Sequence, residues 1–212
     1  MSSDPTIPIA IAFVSGKGGS GKTMIAAVAT RILNGAGRPV VLVDGDVATG
    51  GLTYYLGLKR LRNTGRGMST IAEAVLHETS SDIPIGRSNE AISALVRQAL
   101  QPILDWPAAE FLGVGDHRRL YRLVEKSPSL FGRLAFLIIN VLKLDTTKAV
   151  IVDCRGGIDS DSLDVCRAVE DIVLVVETGH NIDSGNPTSC GCAVRQRSST
   201  QTTWLHHQQG LR

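Results

Sequence analysis

The chain has 212 residues, of which 43% are hydrophobic and 20% charged, with 22 glycines and a formal net charge of +2. That length and composition fit one globular domain and exclude wholesale disorder, and a charge of +2 does not by itself mark a nucleic-acid binder. Apolar runs such as Leu134–Asn140 fall far short of the ~20 residues needed to span a bilayer. Met1–Pro8 lacks the basic start and apolar stretch of a secretory leader. Four cysteines (Cys154, Cys166, Cys190 and Cys192) do not make a disulfide scaffold. A cytoplasmic, reduced protein is expected.

In chain order, Ile7–Val14 is a continuous apolar run, as in a strand buried on both faces of a parallel sheet. A glycine-rich loop follows at Gly16–Gly21. Lys22–Leu33 has helical spacing at Ile25, Ala29, Ile32 and Leu33, with Gly35 and Gly37 behind it. Val40–Val43 is a second buried strand ending at Asp44. Ser69–His77 and Asn89–Leu104 read as helices, and Phe111–Val114 as a short strand. Leu120–Glu125 and Leu130–Leu142 read as helices. Ala149–Val152 is a strand ending at Asp153, Ser160–Val169 a helix, and Ile172–Val176 a further strand. Strands alternating with helices predict an α/β fold: a mostly parallel, doubly wound sheet with flanking helices.

The stretch Thr178–Arg212 differs. Asp183 is its only acidic residue, and it is rich in Ser, Thr, Gln, Asn, Gly and His with no helical or strand period. No strand is expected after Val176. The expected division is therefore a domain over residues 1–177 and a polar, disordered or aberrant tail over 178–212. The abrupt change at Thr178 reads as a truncated or frame-shifted end.

Gly16-Lys17-Gly18-Gly19-Ser20-Gly21-Lys22-Thr23 fits G-x-x-x-x-G-K-[ST], the P-loop. Glycines let successive backbone N–H groups turn toward phosphate oxygens. The helix starting near Lys22 adds its positive N-terminal end. Lys22 can reach the terminal phosphates, and Thr23 can place its hydroxyl on Mg²⁺. The motif sits between a buried strand and a helix, the context that gives it meaning.

With Lys17 as a second lysine in the loop, the sequence resembles the deviant Walker A ATPases of the ParA/MinD family. Several implications follow from that resemblance. Lys17 would reach across an ATP-sandwiched homodimer to the partner's phosphates. Val40-Val41-Leu42-Val43-Asp44-Gly45-Asp46 looks like the family's second motif, with Asp46 orienting the attacking water and Asp44 supporting the Mg²⁺ shell. Val150-Ile151-Val152-Asp153 resembles the Walker B strand, with Asp153 on Mg²⁺ through water. Gly156 suits a switch segment whose backbone N–H approaches the terminal phosphate. The implied activity is Mg²⁺-dependent ATP binding and slow hydrolysis, driving a dimer switch in partitioning or cellular positioning, with DNA or a protein as partner. The likeness covers Pro8–Glu177 and is weak over Lys59–Gly115. Met24 departs from it, because relatives carry a second Ser or Thr there to contact the α-phosphate. The family's sheet continues past this point with further strands that supply a base-binding asparagine, so the sheet is expected to be incomplete at one edge.

Weaker signals remain open. Leu58–Gly67 and His117-Arg118-Arg119 with Arg122 are locally basic, either a solvated face or a phosphate-binding patch. Arg155 reads as a surface arginine or as an arginine-finger-like group. Cys190 and Cys192 read as incidental thiols, and a metal pair would make an Mrp-like iron–sulfur carrier. A nucleotide-binding scaffold without useful turnover is the other alternative.

Overall fold

A computed structural model describes residues 9–56, 66–79, 85–144, 148–157, 159–177, 190–196 and 202–206. The strands are β1 (Ala10–Ser15), β2 (Val40–Gly45), β3 (Gln101–Ile103), β4 (Trp106–Leu112), β5 (Ala149–Gly156), β6 (Asp171–Glu177), β7 (Cys190–Gln196) and β8 (Thr202–His206). The helices are α1 (Lys22–Gly35), α2 (Gly51–Tyr55), α3 (Met68–Thr79), α4 (Ile85–Ala99), α5 (His117–Lys126), α6 (Ser129–Leu144) and α7 (Ser160–Ala168). One sheet runs in the order β3-β4-β2-β5-β1-β6-β7-β8. Its centre, β4-β2-β5-β1-β6, is parallel throughout. β3, β7 and β8 pair antiparallel at the two sides.

The parallel centre follows from the apolar runs. Every residue of Val40–Val43 and of Val150–Val152 is buried, so both faces of the sheet need cover. On one face Val41, Val43, Val150 and Val152 pack with residues of α3, α4, α5, α6 and α7. On the other, Val40, Leu42, Ile151 and Phe13 pack with Ala26 of α1 and Leu52 of α2. The neighbouring strands β1 and β5 therefore send their following helices, α1 and α7, to opposite faces. That divergence opens a crevice beyond their carboxyl ends, the usual ligand position in such sheets.

Three expectations need correction. The helix expected over Asn89–Leu104 ends at Ala99, and β3 occupies Gln101–Ile103. Pro102 explains this: it has no N–H to donate and pushes Gln101 toward extended backbone. α2, only five residues long, has no counterpart in the sequence reading. Finally, strands do follow Val176. β7 pairs with all of β6, from Glu177↔Cys190 to Asp171↔Gln196, and β8 pairs with β7. Backbone ladders need no apolar period, so a polar strand at the side of a sheet leaves little trace in sequence. Ile7 and Pro8, and the basic segment up to residue 65, lie outside the described residues.

Candidate nucleotide-binding site

β1 delivers the loop Gly16–Gly21 into the crevice. Gly19 and Gly21 both have φ of 80°, a backbone region that suits glycine. A side chain built at Gly16, Gly18, Gly19 or Gly21 would meet nothing within 4 Å, so the loop lies under open space. Ser15 ties it down by donating its hydroxyl to the Lys17 carbonyl (2.9 Å). α1 begins at Lys22 with Gly21 as its cap, without any side-chain capping bond and without an acidic residue in its first turn. Its first amides are thus left for an anion. Lys17 is exposed on the loop, Ser20 is buried, and the Met24 side chain is 53% exposed.

β2 and β5 bring the carboxylates. Asp44 and Asp153 are direct partners in the parallel ladder, so they stand side by side at adjacent strand ends. Both are buried. Lys22 swings in from the loop and donates to Asp153 Oδ1 at 2.7 Å, a buried ion pair between residues 131 apart in sequence. The nearby Thr23 hydroxyl also favours the charged form of Asp153. Burial still holds the Asp153 carboxyl above its ordinary pKa, with Lys22 pulling the other way.

Among the described residues, Asp44 pairs with no cation. Its Oδ2 accepts the Thr53 N–H (3.1 Å) and the Thr53 hydroxyl (2.9 Å), and its Oδ1 accepts the Asp46 N–H (3.2 Å). Burial pushes its pKa from 3.8 to about 7, with the Asp153 charge adding to the rise and Thr53 opposing it. Asp46 is half-buried and fully engaged in its own turn. It accepts the N–H groups of Ala48 (3.2 Å) and Thr49 (3.1 Å) and the Thr49 hydroxyl (2.6 Å).

The segment after Asp153 closes onto the loop. A Cβ at Gly156 would lie 2.8 Å from the Gly18 Cα and 3.1 Å from the Lys17 carbonyl oxygen, so only glycine allows this approach. Gly157 N–H donates to the Ser15 carbonyl at 3.0 Å. Gly45 is equally confined, since its Cβ would lie 2.9 Å from the Asp153 carbonyl oxygen. Cys154 is fully buried, and burial raises its thiol pKa well above the ordinary range. Among the described residues, no three His, Cys, Asp or Glu side chains gather as a metal cluster. The Cys190 and Cys192 side chains lie outside that description.

The structure brings the glycine loop, Lys22, Asp44, Asp153 and Gly156 together at this crevice, with Lys17 and Met24 exposed and Asp46 held in the turn after β2. Sequence reasoning missed Thr53 and Thr49, which hold the two carboxylates of β2 and its exit loop. It also missed the Lys22–Asp153 pairing. A threonine nine residues beyond Asp44 carries no local signal, because α2 is too short to show a period.

Two buried carboxylates thus stand side by side at the rim, and only Asp153 is paired with an ammonium among the described residues. That arrangement, with the Thr23 hydroxyl beside Asp153, fits a divalent cation chelated by a polyphosphate on the loop.

Comparison with known proteins agrees with this geometry. Residues 11–182 match the family described as the CobQ/CobB/MinD/ParA nucleotide-binding domain. An uncharacterized ATP-binding protein of Methanocaldococcus jannaschii is 26% identical over 174 residues, covering 79% of this chain and 52% of the relative. The chain thus spans about half the length of the curated relatives it matches. Among solved structures, the septum site-determining protein MinD of Pyrococcus horikoshii, complexed with Mg-ADP, superposes with a TM-score of 0.52 at 21% identity. That match covers 79% of this chain and 57% of the archaeal one. A ParA family ATPase of Chlorobium tepidum gives 0.52 at 19%, covering 77% and 58%. No single helix among the described residues is long and apolar enough to cross a membrane. With a family match over most of its length, the chain belongs to the CobQ/CobB/MinD/ParA nucleotide-binding domain family.

Proposed function

We propose that the chain binds Mg-ATP at the β1–β5 crevice and hydrolyses it slowly, as a cytoplasmic dimer switch of the ParA/MinD type. The observation that carries this reading is the buried Lys22–Asp153 pair at the mouth of an open glycine loop, beside Asp44. Gly16, Lys17, Gly18, Gly19, Ser20, Gly21 and Met24 would present backbone N–H groups to phosphate oxygens, as would Lys22 and Thr23. Entry of the terminal phosphates would draw the Lys22 ammonium away from Asp153. Thr23, Asp44 and Asp153 would then hold the Mg²⁺ shell. Magnesium there would neutralise charge on the β- and γ-phosphate oxygens.

Gly156, already in contact with Gly18, would bring its N–H toward the terminal phosphate. Asp46 would orient the attacking water, and this requires release from its Thr49 hydrogen bonds. Lys17, exposed at the loop edge, would act on the nucleotide of a second copy in an ATP-dependent homodimer. Every site residue lies within residues 1–177, which we take as the ATPase unit, with β7 and β8 adding to the side of its sheet beyond β6.

Phosphate release from Mg-ATP by the full chain tests this reading. Steady release that stops in Asp46→Ala and in Lys17→Ala is the expected result. Mg-ATP binding with no release, even with duplex DNA added, would contradict it. A second reading, a nucleotide-binding scaffold without turnover, is favoured by one observation: both Asp46 oxygens are occupied by its own turn.

A further inference from the structure

Beside the crevice lies a second, open groove of about 590 Å³, lined by Ala48, His117, Arg118, Tyr121, Arg122 and Arg155. We propose that this groove binds an acidic peptide segment of a protein partner. The proposal goes beyond nucleotide binding and does not depend on it.

The lining holds three guanidinium groups and no carboxylate. Its charge is concentrated by helix geometry: residues 117, 118, 121 and 122 share one face of α5, while Leu120 faces the core. Arg122 Nε donates to the Arg118 backbone carbonyl at 3.2 Å, which holds the Arg122 guanidinium against the preceding turn of α5. Two nearby acids, Asp116 and Glu73, are committed elsewhere, and a third, Asp159, is shared between a helix cap and Arg155. Asp116 caps α5 by accepting the Arg119 N–H. Glu73 pairs with Arg119, which lies outside the groove lining. Asp159 caps α7 by accepting the Ser162 N–H at 2.8 Å. Its other oxygen is 3.9 Å from Arg155 Nε, at the limit of an ion pair. An excess of cationic forks in one recess fits carboxylates, which arginine grips through two parallel bonds.

The shape favours a peptide over a duplex. The charges sit in a recess of ligand-pocket size rather than along an extended track. Tyr121, 46% exposed, and Ala48 supply apolar surface between the charges. The groove also touches both loops of the nucleotide site. The Ala48 N–H bonds Asp46, and Arg155 lies between Asp153 and the Gly156 that contacts Gly18. A bound segment would therefore contact both the β2 exit loop and the carboxyl end of β5.

The test is fluorescence anisotropy of a fluorescein-labelled glutamate-rich peptide with the full, nucleotide-free chain. Failure of ATP binding would leave this result unaffected. Saturable binding is expected, weakened about tenfold in Arg155→Ala and more in Arg118→Ala with Arg122→Ala. Lys126→Ala, at the end of α5 and outside the groove, should leave it unchanged. These substitutions are at exposed positions, and unchanged thermal melts would show that the variants fold. Absence of saturable binding would overturn the proposal, as would an equal loss in Lys126→Ala. A duplex oligonucleotide that displaces the peptide and shows the same arginine dependence would also overturn it, and would reassign the groove to nucleic acid.

Discussion

The glycine loop and the carboxylate pair meet at one crevice, yet they are built in opposite ways. The loop is contiguous in sequence and exposed from Gly16 to Gly19, and the role proposed for it rests on backbone N–H groups. The pair is assembled from two strands, is buried, and depends on side chains from distant positions. On the proposed reading, changes in the exposed loop should affect the ligand more than the fold. The carboxylates cannot be altered without disturbing the fold itself. Stability measurements on the ligand-free protein can break or sharpen that contrast.

The largest effect is expected from Lys22→Ala. Removing the ammonium strands Asp153 as an uncompensated buried carboxylate, at a cost of about 3–5 kcal/mol. Urea denaturation measures it, and a loss under ~1 kcal/mol would mean that the pair is as loosely held as the loop. It also follows that Lys22→Ala is a poor control for nucleotide binding, since it weakens the protein before any ligand arrives.

The pH dependence comes next. Asp44 loses its proton near pH 3.8 when unfolded but holds it to about pH 7 when folded. Between those values the folded state binds more protons, so stability falls as pH rises and levels off above about pH 7. The loss from this group is on the order of a few kcal/mol at most. Denaturation midpoints from about pH 5 to pH 8 in the presence of a chelator measure it. A midpoint that rises over that interval would contradict the burial of Asp44.

Thr53→Val should cost about 1–3 kcal/mol, because it removes the hydroxyl bond to Asp44 while leaving the carboxyl buried. It should also move the upper end of the pH drift higher. The smallest stability effect is expected from Gly19→Ala. Its φ of 80° strains an alanine by about 1–2 kcal/mol, and its Cβ meets no neighbour. Nucleotide affinity should fall much more than stability does, which titration calorimetry would show.

The same contrast explains what the sequence made legible. The loop was readable because its chemistry is local: eight consecutive residues state the motif. Strands β2 and β5 were readable because burial on both faces demands unbroken apolar runs, and Asp44 and Asp153 stood out as the first charges after them. The pairing of Lys22 with Asp153 across 131 positions was not readable, nor was the hold of Thr53 on Asp44 from a helix too short for a period. The end of α4 was misplaced because Leu100, Ile103 and Leu104 continue its apolar pattern past Pro102. β7 and β8 were missed because a ladder formed by backbone groups leaves polar composition unchanged. The arginine groove joins positions 48, 118 and 155, three segments whose closeness only the fold creates.

The central claim is that this crevice takes a nucleotide together with its metal. A thermal melt of the full chain with and without Mg-ATP, beside ATP in chelator, tests it most directly. Ligand at about a hundred times its dissociation constant should stabilise by ~2.7 kcal/mol. For a domain of this size that is a rise in Tm of roughly 5–10 °C, and the rise should shrink sharply without Mg²⁺. A cooperative melt with the same midpoint in all three conditions would contradict the claim and leave a fold that carries the motifs without the binding.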